Sequence, residues 1–484
     1  MSYNNYMAKD LILGRNKEKE ILQSCYESKE SQLVIITGRR RIGKSFLINQ
    51  YFDDSFAFKL VGDKKLTKNE QLFNFRQELQ RKTQNENLLI PKDWLSAFAM
   101  LRDYIENQDK ETKQVVFFDE MPWLDNQKSG FLTAFEYFWN SYGAAKNNLM
   151  FIVCGSSTSW IVDNFDHNKG GLFNRQNKRI FLEPFTLKET EEYLEKKKNI
   201  IWSRYDIAQC YMIFGGVPYY LDQLEKGISL NANIDNLCFK RRGVLFDEFF
   251  HLYNTLFYNS EKYIKIAEFL STKRLGYTRK EICDKAKISN NSDLTKILDN
   301  LVYSGFVREY QFFGKKKKDI LYQLNDYFSI FYFNFMKDNP KVDDNYWANT
   351  IDMPARKAWS GFTFEQVCKD HIDKIKKVLG ISGVYCEQSQ WFTKGDDTHP
   401  GAQIDLLIDR RDRIINICEI KFSINQFTID KDIDQALRNK IGIFKSITKT
   451  NKAINLVMIT TFGITKNKYS SVVQNEVTLD DLFS

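Results

Sequence analysis

The segment that most restricts what this chain can fold into is Gly38-Arg39-Arg40-Arg41-Ile42-Gly43-Lys44-Ser45. The apolar run Gln-Leu-Val-Ile-Ile-Thr precedes it, and Phe46-Leu47-Ile48-Asn49-Gln50 follows. Such a run, a glycine-framed loop and a helix start predict a buried parallel strand feeding a phosphate-binding turn. The pattern is G-x-x-x-x-G-K-[ST] in its proper strand–loop–helix setting. Glycines let backbone N–H groups close around phosphate oxygens at a helix N-terminus. Lys44 is expected on the β- and γ-phosphates and the Ser45 hydroxyl on Mg²⁺. Residues 38–46 therefore read as a nucleoside-triphosphate site, for ATP or GTP.

Three further features extend this reading. Val115-Val116-Phe117-Phe118 ends in Asp119-Glu120, an acidic pair at the carboxyl end of a buried strand. Asp119 is expected in the Mg²⁺ shell, and Glu120 is expected to polarise the attacking water. The run at residues 149–154 leads into Gly155-Ser156-Ser157, where Ser156, ahead of Ser157, is the candidate to touch the γ-phosphate; a plain turn is the rival reading. Arg175, in the loop before a strand at residues 178–182, fits either an arginine finger or a surface arginine. A finger acting between subunits would imply a homo-oligomer.

Leu13-Gly14-Arg15-Asn16-Lys17-Glu18, the basic P-loop, Phe-Asp-Glu, Cys-Gly-Ser-Ser and Gly215-Gly216-Val217-Pro218-Tyr219 together resemble the archaeal-type ATPase family. That family is a branch of the AAA+-like and STAND P-loop ATPases. The resemblance implies an additional-strand (ASCE) sheet at residues 1–183 and a helical lid at 184–250. It also implies that Gly216 and Pro218 pack near the adenine and that Arg15 belongs to a segment closing over the base. On residue types alone, Gly-Gly-x-Pro is only helix-to-turn punctuation.

Residues 251–340 suggest a winged helix-turn-helix and connector. Residues 261–271 carry apolar side chains at helical spacing, and Thr278 with Glu281 reads as a capped helix start. Leu294, Ile297, Leu298 and Leu301 share one face of a third helix. Strands follow at 305–307 and 320–324, with four lysines, 315–318, between them. If this module binds duplex DNA, the third helix enters the major groove and the lysines touch phosphates. The mixed charge of that helix equally fits a protein–protein connector, and a four-lysine turn is often merely solvated.

Residues 341–484 show a D…(D/E)-x-K arrangement. A helix at 361–378 carries Glu365, a strand at 403–409 carries Asp405, and the next strand carries Glu419 and Lys421 on one face by period two. Asp405 and Glu419 could share Mg²⁺ while Lys421 positions water or stabilises developing charge. A solvated salt-bridged face is the competing reading. The pattern resembles the PD-(D/E)xK, restriction-endonuclease-like domains that often end archaeal-type ATPases. Ile404 replaces that family's lead proline, and Glu365 matches its helical acid. Gln435, in the following helix, is a weaker candidate.

Composition sets bounds without deciding among these modules. A chain of 484 residues exceeds one ordinary core, and 43% hydrophobic residues exclude large-scale disorder. The net charge of +8 permits nucleic-acid contact without arguing for it. Eight cysteines without a C-x-x-C pair and four dispersed histidines argue against zinc and for a reducing compartment. With no secretory pattern and no bilayer-length apolar run, the expectation is a cytoplasmic protein with no membrane partner. The fold class expected is α/β throughout: a P-loop ATPase core, helical lid, winged helix and nuclease-like domain. The function expected is an ATP- and Mg²⁺-dependent switch controlling a DNA nuclease. Its alternatives are a non-cleaving STAND-like regulator that binds DNA or protein partners, and a transcription factor, which would leave both acidic sites unexplained.

Overall fold

The computed structural model describes residues 12–126, 128–156, 158–167, 171–172, 175–315, 320–339, 343–395 and 400–484. The chain divides after Pro184 into two compact units.

The first unit is built on five parallel strands: β1 (Gln32–Thr37), β2 (Phe58–Val61), β3 (Gln114–Asp119), β4 (Leu149–Cys154) and β5 (Lys178–Phe181). Their order is β2-β3-β4-β1-β5. Strand β4 thus separates the P-loop strand β1 from the acidic strand β3, which is the additional-strand arrangement. Every residue of β1, β3 and β4 is buried. Both faces of the sheet are covered, so these strands carry apolar runs instead of alternation. Leu33 and Ile35 of β1 pack with Phe98, Phe118 and Phe131 on one face. Val34 and Ile36 pack with Leu47, Ile48 and Phe117 on the other. Burial of each large side chain contributes roughly 1.5–3 kcal/mol, so the sheet is a rigid platform for the loops at its carboxyl edge.

The second unit opens with helices Leu187–Lys198 and Arg204–Phe214. Helices Ser260–Ser271, Arg279–Ala286 and Ser292–Tyr303 follow. They accompany a small antiparallel sheet of order β6-β8-β7, from β6 (Tyr277–Thr278), β7 (Val307–Tyr310) and β8 (Leu321–Leu324). A five-stranded mixed sheet closes the chain: β9 (Cys386–Thr393), β10 (Ala402–Arg410), β11 (Ile414–Lys421), β12 (Ala453–Thr460) and β13 (Asn475–Thr478). Its order is β13-β12-β11-β10-β9, antiparallel from β9 to β11 and parallel from β11 to β13. A single apolar cluster runs from Leu187 and Ile213 through Leu298 and Phe331 to Ile420 and Val457. A second cluster, with Trp391, Leu407, Ile417 and Phe444, fills the other face of the final sheet, so residues 185–484 are packed together and not strung on linkers.

The helix read at 361–378 is two helices, Pro354–Asp370 and Ile372–Val378. Its start moves to Pro354, which suits the first helical position because the missing N–H is unneeded there. The break falls at buried His371, whose Nδ1 pairs with the Val367 carbonyl at 2.8 Å. Its Nε2 accepts from the Leu187 N–H at 2.9 Å. Nδ1 is therefore the protonated nitrogen.

Candidate functional site

The P-loop geometry follows from three left-handed residues in the segment predicted to bind phosphate. Gly38, Arg41 and Gly43 have φ of 140°, 75° and 85°. A Cβ on Gly38 would meet the Leu182 carbonyl oxygen at 2.4 Å, so only glycine fits there. Gly43 precedes the helix Lys44–Tyr51, which begins on Lys44 and Ser45 and leaves Phe46 half exposed. Ile42 is buried under the loop, and Arg40 lies among the loop residues between Arg39 and Arg41. Lys44 is buried, its ammonium donating to the carbonyls of Gly38 at 3.0 Å and Arg39 at 2.9 Å. The lysine thus spans the mouth of the loop, where its charge is available to phosphate oxygens.

Arg15 plays a supporting part that local sequence did not disclose. It is buried, donates to the Glu183 carbonyl at 2.6 Å and reaches the Ile42 carbonyl at 3.5 Å. It ties the segment before β1 to the P-loop itself.

Asp119 and Glu120 stand at the end of β3 in different states. Asp119 is buried, its Oδ1 accepting from the Glu120 N–H at 3.0 Å, and its charge adds to burial in raising the Cys154 thiol of β4. Glu120 sits in the left-handed region at φ 46°, which turns its side chain toward the tip of β4. There Ser156 donates to Glu120 Oε2 through its N–H at 3.0 Å and its hydroxyl at 2.9 Å. Ser156, expected on the γ-phosphate, thus also anchors the Glu120 carboxylate. Arg175 is exposed, and Ser157 and residues 173–174 lie outside the described residues.

These groups fit a magnesium triphosphate. Lys44 is the group that would meet the phosphates, and Ser45 and Asp119 are the protein oxygens that would hold the ion. Bound Mg²⁺ would neutralise phosphate charge, while Glu120, once released by Ser156, would accept a proton from water.

Gly216 and Pro218 belong to the second unit. Gly216 is left-handed at φ 65°, and a Cβ there would meet the Phe185 carbonyl oxygen at 2.1 Å. Pro218 opens the short helix Pro218–Asp222. Their local geometry is that of a tight helix-to-helix turn.

The C-terminal acids converge at one end of the final sheet. The β10–β11 ladder ends at Leu406 opposite Cys418, one residue short of Asp405 and Glu419. On its other side β10 shifts register against β9 between Ile404 and Leu407, a bulge that re-aims Asp405. Gln403 donates to Asp405 Oδ1. Glu419 is buried, with Lys421 Nζ 2.9 Å from Oε1 and Lys440 Nζ 2.5 Å from Oε2. Burial alone would raise the Glu419 carboxyl, but the two ammoniums outweigh it and hold it below its ordinary value. Glu365 is pushed well up, first by burial and then by the Asp405 charge. Its helical neighbour Lys369 is pushed down by burial and feels both acids, and its Nζ makes no hydrogen bond among the described residues.

Sequence reasoning missed Lys440, which stands in the helix Lys431–Thr448 between buried Leu437 and Phe444. A lysine at that spacing, on an apolar stripe, was the available signal. It also missed Tyr310 of β7, a half-buried phenol raised first by desolvation and then by Asp405. Gln435, a weaker candidate, is exposed and bonds Asn439 at 2.8 Å, away from the acids.

Oxygen donors of this kind suit Mg²⁺, which commonly takes one or two carboxylates and completes its shell with water and phosphate. Among the described residues no three His, Cys, Asp or Glu side chains form an all-protein metal cage. Also among the described residues, no helix is long and apolar enough to cross a membrane.

Fold and site together define the first unit as a P-loop ATPase domain. Residues 13–224 match the model of a family described as an ATPase domain predominantly from Archaea. The chain is also 23% identical over 458 residues to an uncharacterized protein of Methanocaldococcus jannaschii, covering 92% of this chain and 93% of the relative. Similar solved structures include a Walker-type ATPase of Pyrococcus abyssi, at 18% identity and TM-score 0.47, covering 67% of this chain and 96% of that one. The ORC2 protein of Aeropyrum pernix is similar at 13% identity and TM-score 0.43, covering 70% and 95%.

Proposed function

We propose that this protein is an ATP-hydrolysing switch whose nucleotide state governs a Mg²⁺-dependent, nuclease-like centre acting on DNA. The observation that carries the second half is the meeting of Asp405, Glu419 and Lys421 at a bulged strand end, where the Asp405 charge adds to burial in raising Glu365. Two carboxylates would hold the ion that polarises a phosphodiester, and Lys421 would orient the attacking water. Glu120 would serve the ATP half, its release from Ser156 marking the hydrolysis-ready state. The helices and hairpin at 260–324 are read as a winged helix. Arg279 there donates to Asn290 Oδ1, the Asn291 carbonyl and Thr295 Oγ1, and Lys262 pairs with Asp293. Such internal pairing suits a connector. Of the lysine-rich turn only Lys315 is described, so residues 316–318 carry no part of this reading.

The test is cleavage of single- and double-stranded DNA with ATP and Mg²⁺. Wild type should cut, and Asp405→Ala should not; equal cleavage by both would sink the nuclease reading. A second reading, a regulator that binds DNA or a protein without cutting, is favoured by the lysines that already occupy both Glu419 oxygens. Tight DNA binding with an ATP-dependent change of oligomer and no cleavage would establish it.

A further inference from the structure

Three acids meet at the C-terminal site, and three lysines attend them. Glu365 lies one helical turn from Lys369, while Glu419 is held by Lys421 and Lys440. The lysines are not equivalent, however. Lys421 shares a strand with Glu419, two residues on, so their pairing is dictated by the pleat. Lys440 arrives from a separate helix, 21 residues along the chain, onto the other carboxylate oxygen.

Its position there is unusual for a lysine. Leu437 and Phe444 on the same helix face are buried against the sheet, and Lys440 stands between them with its side chain 21% exposed. A lysine on an apolar stripe loses rotamer freedom and hydration, and a surface carboxylate would not repay that loss. Glu419 is buried, so it supplies the compensation. Removing either partner would leave the other charge in poor solvent.

We propose that Lys440 is an internal counter-cation of this site, a positioning residue whose ammonium stands on Glu419 where a divalent cation would bind and limits that binding. The inference rests on the reading of Asp405, Glu419 and Lys421 as a metal-dependent centre. An ammonium and a divalent ion compete for the same oxygen. An incoming ion must drive Lys440 off, at the cost of an ion pair inside a low-dielectric pocket. The displaced ammonium is then free for an anionic ligand such as a phosphodiester. Resting metal affinity is accordingly low, and substrate and ion favour one another's binding.

The experiment is a Mn²⁺ titration of the full chain without nucleotide, read by electron paramagnetic resonance, in an Asp119→Asn background that silences the P-loop site. Lys440→Gln should bind Mn²⁺ at least tenfold more tightly, and Lys440→Met should do the same if the glutamine variant melts early. Lys440→Arg keeps the cation and should stay near wild type, whereas a purely structural role predicts no tightening in Lys440→Gln or Lys440→Met. Adding Glu419→Gln to Lys440→Gln should remove the gain. Affinity unchanged or weakened in both Lys440→Gln and Lys440→Met, while Glu419→Gln alone still lowers it, would overturn the counter-cation and leave the centre standing. Indifference of Mn²⁺ binding to both Asp405→Asn and Glu419→Gln would instead overturn the centre, and the inference with it.

Discussion

At the scale of single residues, the two acid sites differ in how their key side chains are restrained. Lys44 and Glu120 belong to local motifs, yet each is held by a partner that the motif does not name. Lys44→Ala should lower ATP affinity by roughly 100-fold, or about 2.7 kcal/mol, measured by calorimetric titration. Unchanged affinity would contradict the P-loop assignment. Glu120→Gln should keep binding within a few-fold while lowering the hydrolysis rate by roughly 10²–10⁴, the usual worth of a general base. The motif residues were legible because strand, loop and helix are contiguous in sequence. The grip of Ser156 on Glu120 and that of Arg15 on the Ile42 carbonyl were not. They join positions 36 and 27 residues apart, and no periodicity reports such a distance.

At the scale of elements, backbone conformation and one buried imidazole carry the consequences. Gly38→Ala places a methyl against the Leu182 carbonyl at a positive φ and should destabilise the first unit by about 1–3 kcal/mol, read as a lower Tm in thermal melts. His371 joins the helix ending at Asp370 to the one starting at Leu187, and burial holds its pKa below the ordinary value. The unfolded chain therefore binds the proton more readily than the folded one. Stability from this group is full above the unfolded pKa and is lost as pH falls below it, from about 6.5 downward. Melts of the second unit should drop across that window, and His371→Gln should flatten the drop. The sequence exposed the strands and the capped helix at Thr278 because their signals are local. The break at His371 was hidden, since the hydrogen bond that accompanies it reaches residue 187.

At the scale of the whole molecule, two compact units of one chain should unfold as separable events. Saturating ATP should raise the transition that contains the P-loop, by about 2.7 kcal/mol at one hundred times Kd, and Lys44→Ala should abolish the shift. Differential scanning calorimetry distinguishes this from a single merged transition. The mixed fate of the C-terminal reading belongs to this scale too. Asp405, Glu419 and Lys421 were legible from strand periodicity, whereas Tyr310 and Lys440 come from distant elements that only the packed unit brings near.

The segment between β7 and β8 has a bearing on solubility. Phe312 bridges to Gln390 in parallel fashion, the Phe313 N–H donates to the Gln390 carbonyl at 2.8 Å, and the Phe313 ring packs on Phe444. Gln390 lies in β9, the edge of the final sheet. An eight-residue edge strand is a template for pairing with another chain, and proteins suppress such pairing by covering the edge. Here the hairpin of the middle module serves as that cover. Substitutions that loosen Phe313 should therefore show themselves first as fibrous or amorphous self-association, before any loss of helix content.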